Sequence, residues 1–257
     1  LFRESDIEQQ KRLARVDFQS VVRSPDALDI RDPLRPERGR FADGRVLQAA
    51  YCAMIKLIDD QVGRILTALD VSGQRENTVV IFTSDHGEML GDHGLIQKGC
   101  RFYEGLVRVP LIFSWPSHFV EGERSDALVE LLDKTPTILE LAGLQPPQRM
   151  QGRSLLPMLR GEIPLDHHRD SVRCEYYDAL DEPDGSFATM YRDERYKLVV
   201  YHGHDLGELY DLEEDPEEFE NMWDEPEAQP VKLDVMQRSF DASMLAMDRG
   251  SPRVGPM

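Results

Sequence analysis

The chain has little of what a disulfide-stapled, membrane-spanning or nucleic-acid-binding protein needs. It holds three cysteines in 257 residues, Cys52, Cys100 and Cys174. They are far apart and odd in number, which excludes a disulfide framework or a zinc-ribbon spacing. Ordinary semi-buried thiols are expected, with a slight lean to a reducing, cytoplasmic setting that fixes no localisation. No uninterrupted apolar run reaches the length needed to cross a bilayer, so no membrane partner is expected. Positive charge is scarce: 30 Lys and Arg stand against 48 Asp and Glu, a net charge of −18. Such an acidic chain repels a phosphate backbone, which excludes nucleic acid as partner. An anionic substrate would then need a local positive feature, a metal or a lysine. No internal repeat is visible. The start, LFRESDIEQQ, has neither Met nor an apolar leader, and the expectation is a piece of something longer.

What is present has an α/β rhythm. Residues 1 to 44 are polar and rich in Arg, Asp and Pro, and read as a surface excursion with little regular structure. Over 45 to 70, Leu47, Ala50, Met54, Leu57, Ile58, Val62, Ile65 and Leu69 recur at helical spacing. Two short apolar runs, TVVIFT at 78–83 and VPLIFSW at 109–115, suit strands covered on both faces. The stretch 125 to 142 reads as helical on both sides of Pro136, which should bend or restart the helix. After about residue 165 come SVRCEYYDA, FATMYRD and RYKLVVYHG as strands, the last two joined by a turn at Asp193-Glu194. GELYDLEEDPEEFENMW follows as a short strand and an acidic loop. Val231, Val235, Met236, Phe240, Met244 and Met247 mark a closing helix. The expected fold is α/β: part of a mixed central sheet flanked by helices over 1–164, then a small antiparallel α+β subdomain over 165–257.

Chemistry concentrates at the end of the first apolar run, in SDHGEMLGDHGLIQKG. Ligands of open α/β sheets gather at the carboxyl ends of strands. Asp85 and His86 sit at such an end, and a carboxylate and an imidazole both suit a divalent cation. The alternative is an N-capping Asp beside a surface histidine. Lys98, set among glycines, could clamp a tetrahedral oxyanion as a point charge. The alternative is a solvated surface lysine. His93 in the same loop is a candidate for touching substrate, against a purely structural role. Arg101 lies nearby. Arg108 is expected to pair with a carboxylate such as Glu104, and Tyr103-Glu104-Gly105 to shape the loop. His167-His168 and His202-x-His204 lie in polar turns and are read as non-functional.

FTSDHGEMLGDHGLIQKGCRFYEGLVRVPLI resembles the sulfatases of the alkaline-phosphatase superfamily. YCAMIKLIDDQVGRIL, LLDKTPTILELAG, MQGRSLLPML and RYKLVVY…ELYDLEEDPEEFENMW extend the likeness, in order, over about residues 45 to 245. The resemblance implies that Asp85 and His86 are two ligands of an active-site cation and that Lys98 binds the sulfate oxygens. The thirteen-residue spacing from Asp85 to Lys98, and His rather than Asn beside the Asp, fit the branch with choline sulfatases and phosphonate monoester hydrolases. An imidazole ligand leaves the metal open between calcium and manganese.

The family's nucleophile is a Cys or Ser in a C/S-x-P-x-R motif, converted to formylglycine. These 257 residues contain no such motif. Cys52, Cys100 and Cys174 are followed by AMI, RFY and EYY. The expectation is that residue 1 falls downstream of the nucleophile and that the chain alone turns over no sulfate ester. The implied activity is metal-dependent hydrolysis of a small anionic sulfate ester by the longer protein. Two readings remain beside it: a phosphodiester or phosphonate monoester hydrolase with the same residues, and a non-catalytic remnant that acts as an interaction domain. The oligomeric state stays open.

Overall fold

The computed structural model describes residues 3–13, 29–31, 40–177 and 186–247. The expected surface excursion over 1 to 44 lies partly outside these residues, as does the end of the SVRCEYYDA strand. The part of the excursion that is described corrects the expectation. Helix α1, Glu4–Leu13, docks into the core, and its Asp6, Gln10 and Leu13 are buried. The apolar positions are too few to announce the helix; polar side chains hold it instead. Gln9 Nε2 donates to the hydroxyls of Tyr103 (2.9 Å) and Tyr210 (2.7 Å). Asp29–Arg31 (β1) and Arg40–Asp43 (β2) pair antiparallel.

Helix α2 runs Gly44–Val71, as its 3.6-residue spacing predicts. Yet Met54, Leu57, Ile58 and Ile65 on its apolar stripe are exposed. The strands Val80–Thr83 (β3) and Leu111–Ser114 (β4) pair antiparallel in register from Val80↔Ser114 to Thr83↔Leu111. Among the described residues these two strands form a sheet of their own. Their predicted burial on both faces does not hold here, since Phe82 and Ile112 are exposed.

Between β3 and β4 the chain makes a left-handed loop and one helical turn, α3, Glu104–Val107. The helix expected over 125–142 is shorter. Helix α4 is Lys134–Leu141, after a 3-10 turn at Leu131–Asp133. Pro136 therefore falls in the first turn, where its missing N–H costs nothing, and no bend results. Asp133 governs this start. Its Oδ2 accepts from the Glu130 amide (2.8 Å) and its Oδ1 from the Arg153 amide (2.7 Å). It also pairs with Arg169, which holds Glu130 Oε2 at 2.5 Å. Helix α5 is the short turn Leu156–Leu159.

The C-terminal strands are Val172–Tyr177 (β5), Phe187–Arg192 (β6), Tyr196–Tyr201 (β7) and Gly207–Asp211 (β8). They form an antiparallel meander in the order β5-β6-β7-β8. The predicted turn is present: Asp193 Oδ1 accepts from the amides of Arg195 (2.9 Å) and Tyr196 (2.7 Å). Helix α6, Gln229–Ala246, covers the sheet through Val235. Phe240, Met244 and Met247, assigned to its inner face by periodicity, are exposed.

The expected boundary at 164/165 is not a break in packing. Leu13, Cys100 and Phe102 share one cluster with Ala188, Met190, Val199 and Tyr201. Met89, Leu95, Tyr103 and Leu106 share another with Tyr210. The firmest tie is polar. Lys197 is fully buried in β7. Its ammonium donates to the Phe102 carbonyl (2.7 Å), Glu104 Oε1 (2.8 Å) and Glu218 Oε1 (2.5 Å). Glu218 Oε2 in turn accepts from the Glu104 amide at 2.7 Å. Arg192, 3.6 Å from Glu104, fills the place that the sequence assigned to Arg108.

Two outcomes follow. Lys197→Ala leaves two carboxylates without their buried partner, and should cost about 3–5 kcal/mol in urea denaturation. Burial alone would raise the Asp133 carboxyl. The His168 imidazole 3.4 Å away, hydrogen bonds from the Arg153 and Glu130 amides and the Arg169 charge more than offset it and hold the group below its usual range. A depressed folded value gives stability that is complete above the unfolded carboxyl value of about 3.9 and is lost as pH falls through the folded one. Thermal melts between pH 6 and pH 3 should therefore fall more steeply for the wild type than for Asp133→Asn.

Candidate active site

The tip of β3 carries Ser84, Asp85, His86 and Gly87, and the turn that aims them is built into the sequence. The Gly87 amide donates to the Leu106 carbonyl at 2.8 Å. A Cβ on Gly87 would come within 1.9 Å of the Gly105 carbonyl oxygen, so only glycine lets the strand tip lie against α3. This explains the Gly after Asp-His; a Cβ on Gly105 would meet only ordinary contacts, the nearest Asp92 Oδ2 at 3.6 Å.

Asp85 points outward, with its side chain 84% exposed. Its Oδ1 accepts from the His86 amide at 2.9 Å. That bond, its own amide and the neighbouring His86 and Lys98 hold the carboxyl below its usual range. His86 is half-buried. Its Nδ1 lies 2.8 Å from the Gly87 carbonyl oxygen. A carbonyl can only accept, so Nδ1 carries the proton and Nε2 presents its lone pair. Lys98 Nζ donates to that Nε2 at 2.7 Å, and Asp85 Oδ2 lies 3.6 Å from it. Asp85, His86 and Lys98 thus meet at one point. The carboxylate is ionised and the imidazole is tied at Nδ1 with Nε2 outward, the form in which both ligate a divalent cation. Among the described residues no group of three or more His, Cys, Asp or Glu converges as a metal cage, so the pair is a two-donor set.

The three side chains open on a cleft of about 940 Å³. Its wall includes Arg101, Phe102, Phe113 and Met190. Cys174 also lines it. Burial pushes that thiol up to about 11, so it is protonated at neutral pH and is no nucleophile.

His93 does not line this cleft. It is buried, its Nδ1 lies 3.0 Å from Asp6 Oδ1, and its ring stacks on Tyr103 at 4.0 Å. The expectation of substrate contact meets a side chain already enclosed and satisfied. His168, read as a polar-turn residue, is buried against Asp133 at 3.4 Å. His202 contacts the Thr189 hydroxyl at 2.9 Å. Glu88 and Asp6, which hold the loop, had no signal beyond being acidic residues in an acidic chain.

Two family models cover most of the chain. The model described as Sulfatase matches residues 10–144, and that described as N-sulphoglucosamine sulphohydrolase, C-terminal, matches residues 91–243. The chain belongs to the sulfatase family. An N-acetylglucosamine-6-O-sulfatase of Bacteroides thetaiotaomicron is 35% identical over 73% of this chain and 34% of its own length. A structure solved with its substrate D-glucosamine-2-N,6-O-disulfate superposes with a TM-score of 0.69 at 31% identity, over 77% of this chain and 40% of that one. The phosphonate monoester hydrolase of Agrobacterium radiobacter superposes with a TM-score of 0.71 at 31% identity, over 79% and 42%. The fold is therefore that of alkaline-phosphatase-like sulfatases, and the chain spans about two fifths of the length of these relatives.

Gly87→Ala should cost roughly 1–3 kcal/mol by overpacking and move the strand tip. The loss in urea denaturation should come with a shifted His86 Nε2 signal in histidine-labelled protein.

Proposed function

We propose that these residues serve as the C-terminal part of a metal-dependent sulfate-ester hydrolase. The carrying observation is the meeting of Asp85, His86 and Lys98 at one cleft, with Lys98 Nζ 2.7 Å from His86 Nε2. Asp85 and His86 would supply two ligands to a divalent cation, calcium or manganese, and the remaining donors would come from other groups, since calcium takes six to eight. Bound there, the cation would lower the pKa of the nucleophile and offset charge on the sulfuryl oxygens. Lys98 would donate to those oxygens as charge grows in the transition state. Its position in an otherwise acidic chain suits an anionic substrate, and the mostly apolar cleft wall suits excluding water from it. The nucleophile in this reading is a formylglycine outside these 257 residues.

A second reading keeps the same residues and exchanges sulfate for a phosphonate monoester. The likeness to the phosphonate monoester hydrolase, as high as that to the sulfated-sugar complex, favours it. Assaying the full gene product that contains this chain with an aryl sulfate and an aryl phosphonate monoester separates the two. Lys98→Ala should lower kcat/KM on the preferred ester by about 100- to 1000-fold, and Asp85→Asn should weaken manganese binding measured by calorimetry. Undiminished turnover in Lys98→Ala would overturn the reading.

A further inference from the structure

The loop that carries Lys98 is bent against its own preferences. Leu90, His93 and Gln97 all have positive φ, at 50°, 51° and 63°, within eight residues, and Gly91 and Gly94 join them. Non-glycine residues in this region are uncommon and persist only where their surroundings over-determine them. The surroundings here are identifiable. The Glu88 carboxylate accepts from the amides of Leu90 (3.2 Å) and Gln97. Gln48 Nε2 on α2 donates to the Leu90 carbonyl at 2.9 Å. The deepest hold is His93, which donates from Nδ1 to Asp6 of α1. It lies flat on Tyr103, 4.0 Å away, with Phe219 at 4.8 Å on a tilted ring. Asp6 is anchored in turn by the Arg3 amide on Oδ2, at 2.6 Å.

We propose that the Asp6–His93 pair is a positioning device for Lys98. Helix α1, 87 residues away in sequence, fixes the crest of the left-handed loop. The loop then presents Lys98, itself exposed, at the His86 end of the cleft, with its ammonium on His86 Nε2. His93 also leans on Tyr103, the residue before α3, and α3 holds Gly87 through the Leu106 carbonyl. One imidazole thus touches the support of the lysine and the support of the strand tip. Asp6 and His93 do not contact substrate in this account; they set the distance between Lys98 and the strand tip. The proposal rests on the reading of Lys98 as the oxyanion-binding residue.

The test reads the geometry without needing turnover. The full chain is acetylated with limiting acetic anhydride, and Lys98 and the exposed Lys56 are quantified by peptide mass spectrometry. In Asp6→Ala, Lys98 should be acetylated about tenfold faster, the factor set by one lost charge-assisted hydrogen bond, with Lys56 unchanged. The His86 Nε2 signal should lose its hydrogen-bonded shift. Asp6→Asn keeps an acceptor for the imidazole N–H and should restore both towards wild type. A lowered melting temperature in Asp6→Ala, with Lys98 reactivity and the His86 signal as in wild type, would show a merely stabilising pair and overturn the proposal. Should Asp6→Ala fail to fold, hydrogen exchange of the wild type decides. Amides of residues 4–13 and 88–98 that open with one common free energy support the coupling, and independent opening refutes it. If no ester is hydrolysed by the full gene product, the functional reading falls while acetylation still decides the positioning.

Discussion

A buried ammonium with three acceptors holds this structure together. Lys197 is the second residue of β7, between Tyr196 and Leu198, and its side chain is fully buried. Burying a charge is tolerable only when every proton finds a partner. Here the partners come from three places: the carbonyl before α3, the carboxylate at the start of α3, and the acidic loop after β8. Meeting the demand of one lysine therefore brings together the end of the Lys98 loop, the turn that supports the strand tip, and the C-terminal sheet. Glu218 completes the circuit by accepting the Glu104 amide. Burial alone would raise the Glu104 carboxyl, but Lys197 and Arg192 hold it below its usual range, so it stays ionised in place.

The same logic repeats around Asp133. A fully buried carboxylate collects two amides, an arginine and a histidine, and so joins the start of α4 to the segments around Arg153 and Arg169. Gly152 allows it, because a Cβ there would come within 2.2 Å of the Leu132 carbonyl oxygen. Both hubs lie outside the cleft chemistry, yet both set how its walls meet.

Local regularity made much of this legible in advance. α2, β3, β4 and the β6–β7 hairpin stand where periodicity and turn chemistry put them, because each is decided by neighbours in sequence. Asp85, His86 and Lys98 were found from composition at a strand end, and they do meet. What stayed hidden depends on contacts remote in sequence. Nothing in ESDIEQQKRL says that Asp6 will satisfy His93, so α1 read as polar surface and His93 as available. The pattern over 125–142 was apolar enough for a helix, but Asp133 draws the chain into a loop before Lys134. Arg108 is nearer to Glu104 in sequence than Lys197 is, yet the strand geometry delivers Lys197. For α6 the apolar repeat overstated burial, since only Val235 is fully enclosed there.

The lone pair on His86 Nε2 can serve one partner at a time. While it accepts from Lys98, the ammonium is parked, one of its three protons spent and its reach limited by the imidazole. Anything that claims the lone pair releases the lysine as well. The imidazole and the ammonium are therefore interlocked by stoichiometry, like a latch whose bolt is withdrawn by the key. When the imidazole is otherwise engaged, the ammonium is left without that acceptor.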